Sequence, residues 1–399
     1  MDYGIFKQLA TDNHYLSLTK TLNSARCTKE TLKSLKRITK KEICYAHMGQ
    51  LVIHDGICYT TFLQNPGNDG EEHSSVTSGV VLAVFTLEQA MSDAFDAEKD
   101  IEFYPIGQKG DFCAGKKAHS IFKDNSMCLV GDKLYICFSF ATEDNKSHIF
   151  SKSFDIKTKK WEQENAVVLN YNGATYDFSD ETLNIVYRDK GYEPRANGLI
   201  ELVSAWSEYN GEYYATGVTI EEPNNGFVVK TKDFAVMDLV DVVPFNDMGT
   251  AEIASYIYKG MLFVACRQDY GIPYLYMGLL DLQTLKWKHH HKIADGNSRP
   301  WFFEYNGELY LLNTIEEFHR RYTNISRVRT LDSEYEFFKY QIPLECMATL
   351  KNCGSYHATA TYNGDVYFVC TSNTESFGKL SMNFYDEEKV NSKITELFE

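Results

Sequence analysis

The sequence predicts an all-β fold, a six-bladed β-propeller of four-stranded antiparallel blades, and three observations predict it. A phrase made of an aromatic residue, a tight turn and an apolar run recurs as "HDGICYTTF", "SEYNGEYYATG", "YIYKGMLFVAC", "FFEYNGELYLL" and "ATYNGDVYFVC". Its later turn glycines, Gly211, Gly260, Gly307 and Gly364, are 47 to 57 residues apart, the length of a four-stranded unit with its turns. A second phrase, Asp-x-x-Thr-x-Lys-Trp, appears in "DIKTKKW" from Asp155 and "DLQTLKW" from Asp281, where the second hairpin of a unit belongs.

Each element follows from local chemistry. Asn-Gly between apolar residues marks a type I′ hairpin, because both central positions need φ > 0. Residues 1–42 precede the first unit; "TKETLKSLKRI" reads as a short helix, and "YLSLTKTL" as a strand that adds to the ring or closes it. The units run 43–110, 111–171, 196–246, 247–294, 295–345 and 350–399, with 172–195 an insertion. The first is lengthened by the polar stretch 64–76 and the helix-like "TLEQAMSDAFDAEKD". Tyr59, Tyr214, Phe263, Tyr310 and Tyr367 stand three residues past their turn glycines, and Tyr135 is displaced by one. A lone four-stranded sheet cannot bury both faces, whereas sheets packed radially cover one another. Five or seven units result if one weak repeat is miscounted.

Composition narrows the function classes. Forty Lys and Arg against 55 Asp and Glu leave a net charge of -15, which argues against nucleic acid as a partner. The one basic run, "KSLKRITKKE" at 33–42, reads as a solvated helix face. No apolar run approaches the roughly 20 residues of a membrane span, and no signal segment follows Met1, so a soluble, cytoplasmic protein with no membrane partner is expected. Ten cysteines are scattered without a C-x-x-C. Cys137, Cys266 and Cys370 lie within apolar strands, as small buried hydrophobes do. Phosphate-loop, dinucleotide-fold, zincin and serine-hydrolase motifs are absent, so neither cofactor nor metal is expected.

The innermost strands of a propeller line its axis, and the residues at their starts crowd one mouth. Eight positions before the turn glycine stand Glu252, Arg299 and Tyr356, with His357 beside the last; matching stretches carry His47, His119 and Glu201. Glu252 and Glu201 are read as acid and base if they converge, or as edge carboxylates if they do not. His47, His119 and Tyr356 are candidates for proton transfer, or for backbone-bonded structural roles. Arg299 reads as a ligand contact or as a brace that stacks a loop beside Pro300 and Trp301, and Arg267, His357 and Trp301 are candidates for substrate binding. Arg267 with Asp269, and Arg188 with Asp189, read as ligand contacts or as salt bridges at loop bases. "KHHHKI" at 288–293 reads as an exposed strand or turn, since neighbouring strand residues point to opposite faces. The acidic stretch 65–73 reads as a solvated loop.

"NSRPWFFEYNGELYLLNT" (297–314) and "SFDIKTKKW" (153–161) resemble the sialidase-like superfamily of six-bladed propellers with BNR, or Asp-box, repeats. The second is similar to a degraded Asp box, with Lys157 where Gly is expected and the Trp one residue late. The resemblance implies a carbohydrate ligand and glycosidic-bond cleavage, with Arg299 on the sugar carboxylate and Tyr356 beside a carboxylate. Histidines at the blade starts resemble propeller polysaccharide lyases instead, in which His and Tyr move protons. A third reading is a propeller that binds glycan or protein without turnover.

Overall fold

The computed structural model describes residues 31, 33–65, 79–144, 146–193, 199–220, 225–244, 250–268, 274–294, 298–315, 322–328, 341–345, 355–371 and 374–382. The chain is an all-β propeller. Among the described residues, six sheets of four or more strands follow one another, with one further two-stranded hairpin, Phe112–Cys113 and Lys116–Lys117. The first sheet joins Tyr45–His54, Ile57–Asn65, Gly79–Thr86 and Glu102–Gln108; the second, Ser120–Val130, Lys133–Ala141, Ser147–Asp155 and Lys160–Ala166. The third is led by a broken strand, Leu199–Leu202 then Ser207–Tyr209, paired with Glu212–Ile220. The fourth, fifth and sixth begin at Thr250–Tyr258, Trp301–Tyr305 and Ser355–Tyr362. Neighbouring sheets pack along their leading strands, except that the third meets the fourth mainly through Glu212–Ile220. Ser355–Tyr362 of the sixth lies against Tyr45–His54 of the first.

Strand periodicity explains where the core sits. Successive side chains point to opposite faces, and each face enters a different inter-sheet layer. Leu63 and Leu82 of the first sheet meet Ile136 and Phe138 of the second. Val218 and Val228 of the third meet Val264 and Cys266 of the fourth. Ala265 and Met277 of the fourth meet Phe302 and Leu311 of the fifth. Trp301, Phe368 and Phe62 share the layer that joins the fifth, sixth and first sheets. The apolar material is therefore spread between sheets.

The repeated phrase has a structural cause. Asp55-Gly56, Asn210-Gly211, Lys259-Gly260, Asn306-Gly307 and Asn363-Gly364 all take positive φ at both positions, as a type I′ turn requires. Tyr59, Tyr214, Phe263, Tyr310 and Tyr367 are all buried, and neighbouring hairpins are tied there: Tyr258 Oη donates to the Gly307 carbonyl at 2.7 Å, and Thr361 Oγ1 to the Glu304 carbonyl at 2.8 Å. Cys137, Cys266 and Cys370 are buried, and burial pushes their thiols up.

Several boundaries differ from the sequence reading. Val168–Tyr171, expected at the end of the second unit, runs parallel to Val236–Val242 on the outer edge of the third sheet. Burying Val167 and Leu169 between the second and third sheets draws it there, and Asn170 Nδ2 donates to Asp238 Oδ1 at 2.8 Å. The insertion continues as a helix, Asp180–Asp189, capped by Ser179 and buried through Leu183, Val186 and Tyr187. The helix-like stretch in the first unit forms two short helices, Leu87–Met91 and Ala97–Asp100. In the segment expected as a short helix, residues 31, 33 and 34 are helical, but Lys36–Arg37 is a strand beside Glu375–Leu380 of the sixth sheet. "KHHHKI" lies within the strand Lys286–Ala294. The "YLSLTKTL" strand, Asp269 and most of the acidic stretch 65–73 lie outside the described residues. Among the described residues no helix is long and apolar enough to cross a membrane.

Close approach between strands sets a testable limit. A Cβ at Gly217 would sit 2.4 Å from Phe227 Cζ and 2.5 Å from the Glu201 carbonyl oxygen, so backbone as well as side chain must move to admit it. Gly217→Ala is expected to lower stability by about 1–3 kcal/mol, read as a shift of the urea midpoint.

Candidate functional site

Four leading strands share a departure from regular pairing at their starts. The register slips between His47 and Gln50, Ile121 and Asn125, Thr250 and Ile253, and Ser355 and Ala358. A bulge places two residues opposite one, bends the strand and re-aims its side chains. Two bulge residues, Met48 (φ 62°) and Tyr356 (φ 55°), adopt the left-handed conformation, which is strained for a large side chain and persists only where neighbours enforce it.

These bulges bring four of the predicted residues together. Arg267, one strand over from Glu252, forms an ion pair with it and donates to Tyr356 Oη at 3.1 Å. The Tyr356 ring meets the His47 ring edge-on, centroids 4.0 Å apart. His47 Nδ1 lies 3.1 Å from Thr371 Oγ1. The Arg267 side chain keeps 13% of its surface exposed and Glu252 keeps 7%. One chain of contacts thus runs from the fourth sheet through the sixth to the first.

Arg299 makes the contacts of a brace. It is wholly buried, and Nη2 donates to the carbonyls of Gly49 at 2.8 Å, Tyr356 at 3.3 Å and His357 at 3.5 Å. Its guanidinium carbon lies 5.3 Å from the Trp301 ring centroid and 6.0 Å from that of Tyr356. Through Nη2 the guanidinium is offered to backbone carbonyls and braces the bulges. Trp301, expected at the ligand, is buried in the layer between the fifth, sixth and first sheets. His357 is also buried; burial, with the Arg299 charge behind it, pushes its imidazole down to about 3, so it is neutral.

Glu201 is buried on the leading strand of the third sheet. His119 is exposed, beyond the two-stranded hairpin, with its backbone N–H on the Ala141 carbonyl at 2.7 Å. It stands further ahead of its turn glycine than the other candidates, which carries it off the bulge. Arg188 and Asp189 are exposed at the end of the Asp180–Asp189 helix.

Three residues outside the sequence reading complete the arrangement. Glu375 is fully buried, and its Oε1 accepts from Gly49 N–H at 2.5 Å and from Thr371 Oγ1 at 3.2 Å. A Cβ on Gly49 would lie 2.7 Å from that oxygen, so only glycine lets the backbone come so close. Burial pushes the Glu375 carboxyl up to about 7, against the pull of Gly49 N–H, Thr371 and the Arg299 charge. The one sequence signal was Gly49 itself, an isolated glycine within a strand pattern.

No protein-family model matches the chain, and no curated protein matches its sequence. Solved structures do resemble it. Trypanosoma rangeli sialidase in complex with sialic acid aligns over 92% of this chain and 60% of its own, with a TM-score of 0.55 and 11% identity. The same sialidase with the inhibitor DANA aligns over 89% and 57%, with a TM-score of 0.57 and 10% identity. The chain therefore spans about three fifths of these structures' length, and the likeness is one of fold.

Two buried groups set opposite pH dependences. Glu375 titrates above its ordinary 4.5, so between 4.5 and about 7 the folded chain holds a proton that the unfolded chain has released, and stability falls as pH rises. His357 titrates below its ordinary 6.5, so between 6.5 and about 3 the unfolded chain takes up a proton that the folded chain refuses, and stability falls as pH drops. The two offset each other between 4.5 and 6.5. Denaturation across pH should show a plateau in that window with declines on both sides. Glu375→Gln should remove its rising-pH loss, about 3 kcal/mol at ~1.4 kcal/mol per pH unit, and so turn the plateau into a loss that sets in below pH 6.5.

Proposed function

We propose that the six sheets are the blades of a six-bladed propeller that binds an anionic glycan at the mouth beside Arg267 and cleaves a glycosidic bond there. The observation that carries this reading is the Arg267 guanidinium, partly exposed and shared between the Glu252 carboxylate and the Tyr356 hydroxyl. A sugar carboxylate competes with Glu252 for that cation. When Arg267 turns to the substrate its cation leaves Glu252, and loss of a neighbouring positive charge favours the protonated form of a carboxyl group.

Hydrolysis then needs an acid on the leaving oxygen and a base on water. Glu252 gives its proton to the leaving oxygen as the glycosidic bond breaks. His47 takes a proton from the water whose oxygen bonds to the anomeric carbon, and solvent returns that proton to Glu252. Tyr356, held between Arg267 and His47, positions the ring of the sugar. The sialidase-like fold supports a carbohydrate ligand by analogy only, since one fold hosts many functions. A second reading, glycan binding without turnover, is favoured by the same ion pair: if no ligand draws Arg267 away, Glu252 stays a carboxylate and no acid is formed.

The test is a panel of anionic and neutral oligosaccharides, with new reducing ends, unsaturated products and heat of binding each followed. Cleavage of an anionic member with a new reducing end is expected. Arg267→Ala should lower kcat/KM on it by on the order of 10²–10³-fold. Binding heat without product would support the second reading, an unsaturated product would indicate a lyase, and no interaction with any anionic glycan would end the proposal.

A further inference from the structure

The hydrogen-bond inventory around Thr371 decides which nitrogen of His47 carries its proton. Thr371 Oγ1 has three partners: Met48 N–H at 3.3 Å, Glu375 Oε1 at 3.2 Å and His47 Nδ1 at 3.1 Å. A threonine hydroxyl gives one hydrogen and accepts up to two. Met48 N–H can only donate, so it occupies one acceptor position. Above about pH 7 Glu375 is an ionised carboxylate, which can only accept, so the single Thr371 hydrogen goes to it. The remaining lone pair faces His47 Nδ1, and the contact is a hydrogen bond only if Nδ1 carries the hydrogen.

We infer that Glu375 is a positioning residue which, through Thr371, holds His47 as the Nδ1–H tautomer and so makes Nε2 its proton-accepting atom. The assignment rests on the reading of this mouth as a glycan-cleaving site, and it fixes the direction of proton flow there. A neutral histidine whose Nε2 bears a lone pair is the base that takes the proton from water, which leaves Glu252 as the acid. The relay is built into the backbone. The left-handed Met48 lies within the bulge that presents both Met48 N–H and Gly49 N–H. Gly49 N–H fixes Glu375 Oε1, and the close approach to that oxygen excludes any side chain at Gly49. Against the upward push of burial, Gly49 N–H, then Thr371, then the Arg299 charge keep Glu375 in reach of the anionic form.

The histidine ring can be read directly, without substrate, by long-range proton–nitrogen correlation on uniformly nitrogen-15-labelled protein at about pH 8.5, above the titration of Glu375. The His47 signals are assigned by their loss in His47→Gln. The wild type is expected to show a protonated Nδ1 and an unprotonated Nε2. Glu375→Gln keeps a carbonyl acceptor for Thr371 and should preserve that pattern. Glu375→Leu removes the acceptor, frees the Thr371 hydrogen for Nδ1 and should move the proton to Nε2. A wild-type His47 protonated on Nε2 overturns the inference whether or not any variant folds, as does a folded Glu375→Leu with the tautomer unchanged. Because the tautomer is read in the absence of glycan, a failed glycan panel and a failed relay are separate results.

Discussion

Arg299 is the charge on which this end of the propeller depends. Removing a guanidinium from water is costly, and leaving it without compensation more so. Here the carbonyls of Gly49, Tyr356 and His357, the Glu375 charge and the faces of Trp301 and Tyr356 offset that cost. The geometry matters as much as the energy. Arg299 precedes the fifth sheet, Gly49 belongs to the first, and Tyr356 and His357 to the sixth. One side chain therefore pins three consecutive sheets, and it grips two of them at the bulges that carry His47 and Tyr356.

Bulges are what make such gripping useful. A regular strand would send alternate side chains into the two inter-sheet layers and leave none to meet at the mouth. The slips at His47/Gln50 and Ser355/Ala358 break that alternation and bring the His47 and Tyr356 rings together. Positive φ at Met48 and Tyr356 is held by surroundings that cannot relax: Met48 N–H is bonded to Thr371, and the Tyr356 carbonyl to Arg299.

Legibility in the sequence followed the range of the physics. The hairpin turns were readable because Asn-Gly and its relatives satisfy φ > 0 locally, and the aromatic three residues later was readable because five of the six units repeat it in register. The assignment of Val168–Tyr171 was not, since parallel pairing with a strand some 70 residues on is decided by which layer buries Leu169. Glu252, Tyr356 and His47 could be found from their distance to the turn glycine. The carbonyl partners of Arg299 could not be read, because no residue letter reveals them. Glu375 gives no such signal, because it lies in the third strand of the sixth sheet, away from the starts of the leading strands.

Buried polarity is spread unequally among the seams of the ring, and the inequality bears on where function resides. Between the first and second sheets Thr61 bonds Asn125, and Trp206 of the third reaches Ser126 of the second at 3.0 Å. Between the third and fourth, Ser204, Thr216 and Ser255 close a hydroxyl cluster at 2.8 to 3.2 Å. Neutral groups of this kind satisfy seams and fix register at small cost. The seams among the fourth, fifth, sixth and first sheets hold Glu252, Arg267, Arg299, His357, Glu375 and His47, against His148, Asp180 and Glu201 around the second and third. Charged and titratable groups are expensive to bury, and neutral hydroxyls would have sealed those seams equally well. Their concentration around two strained bulges is therefore the departure from symmetry that stability alone does not require.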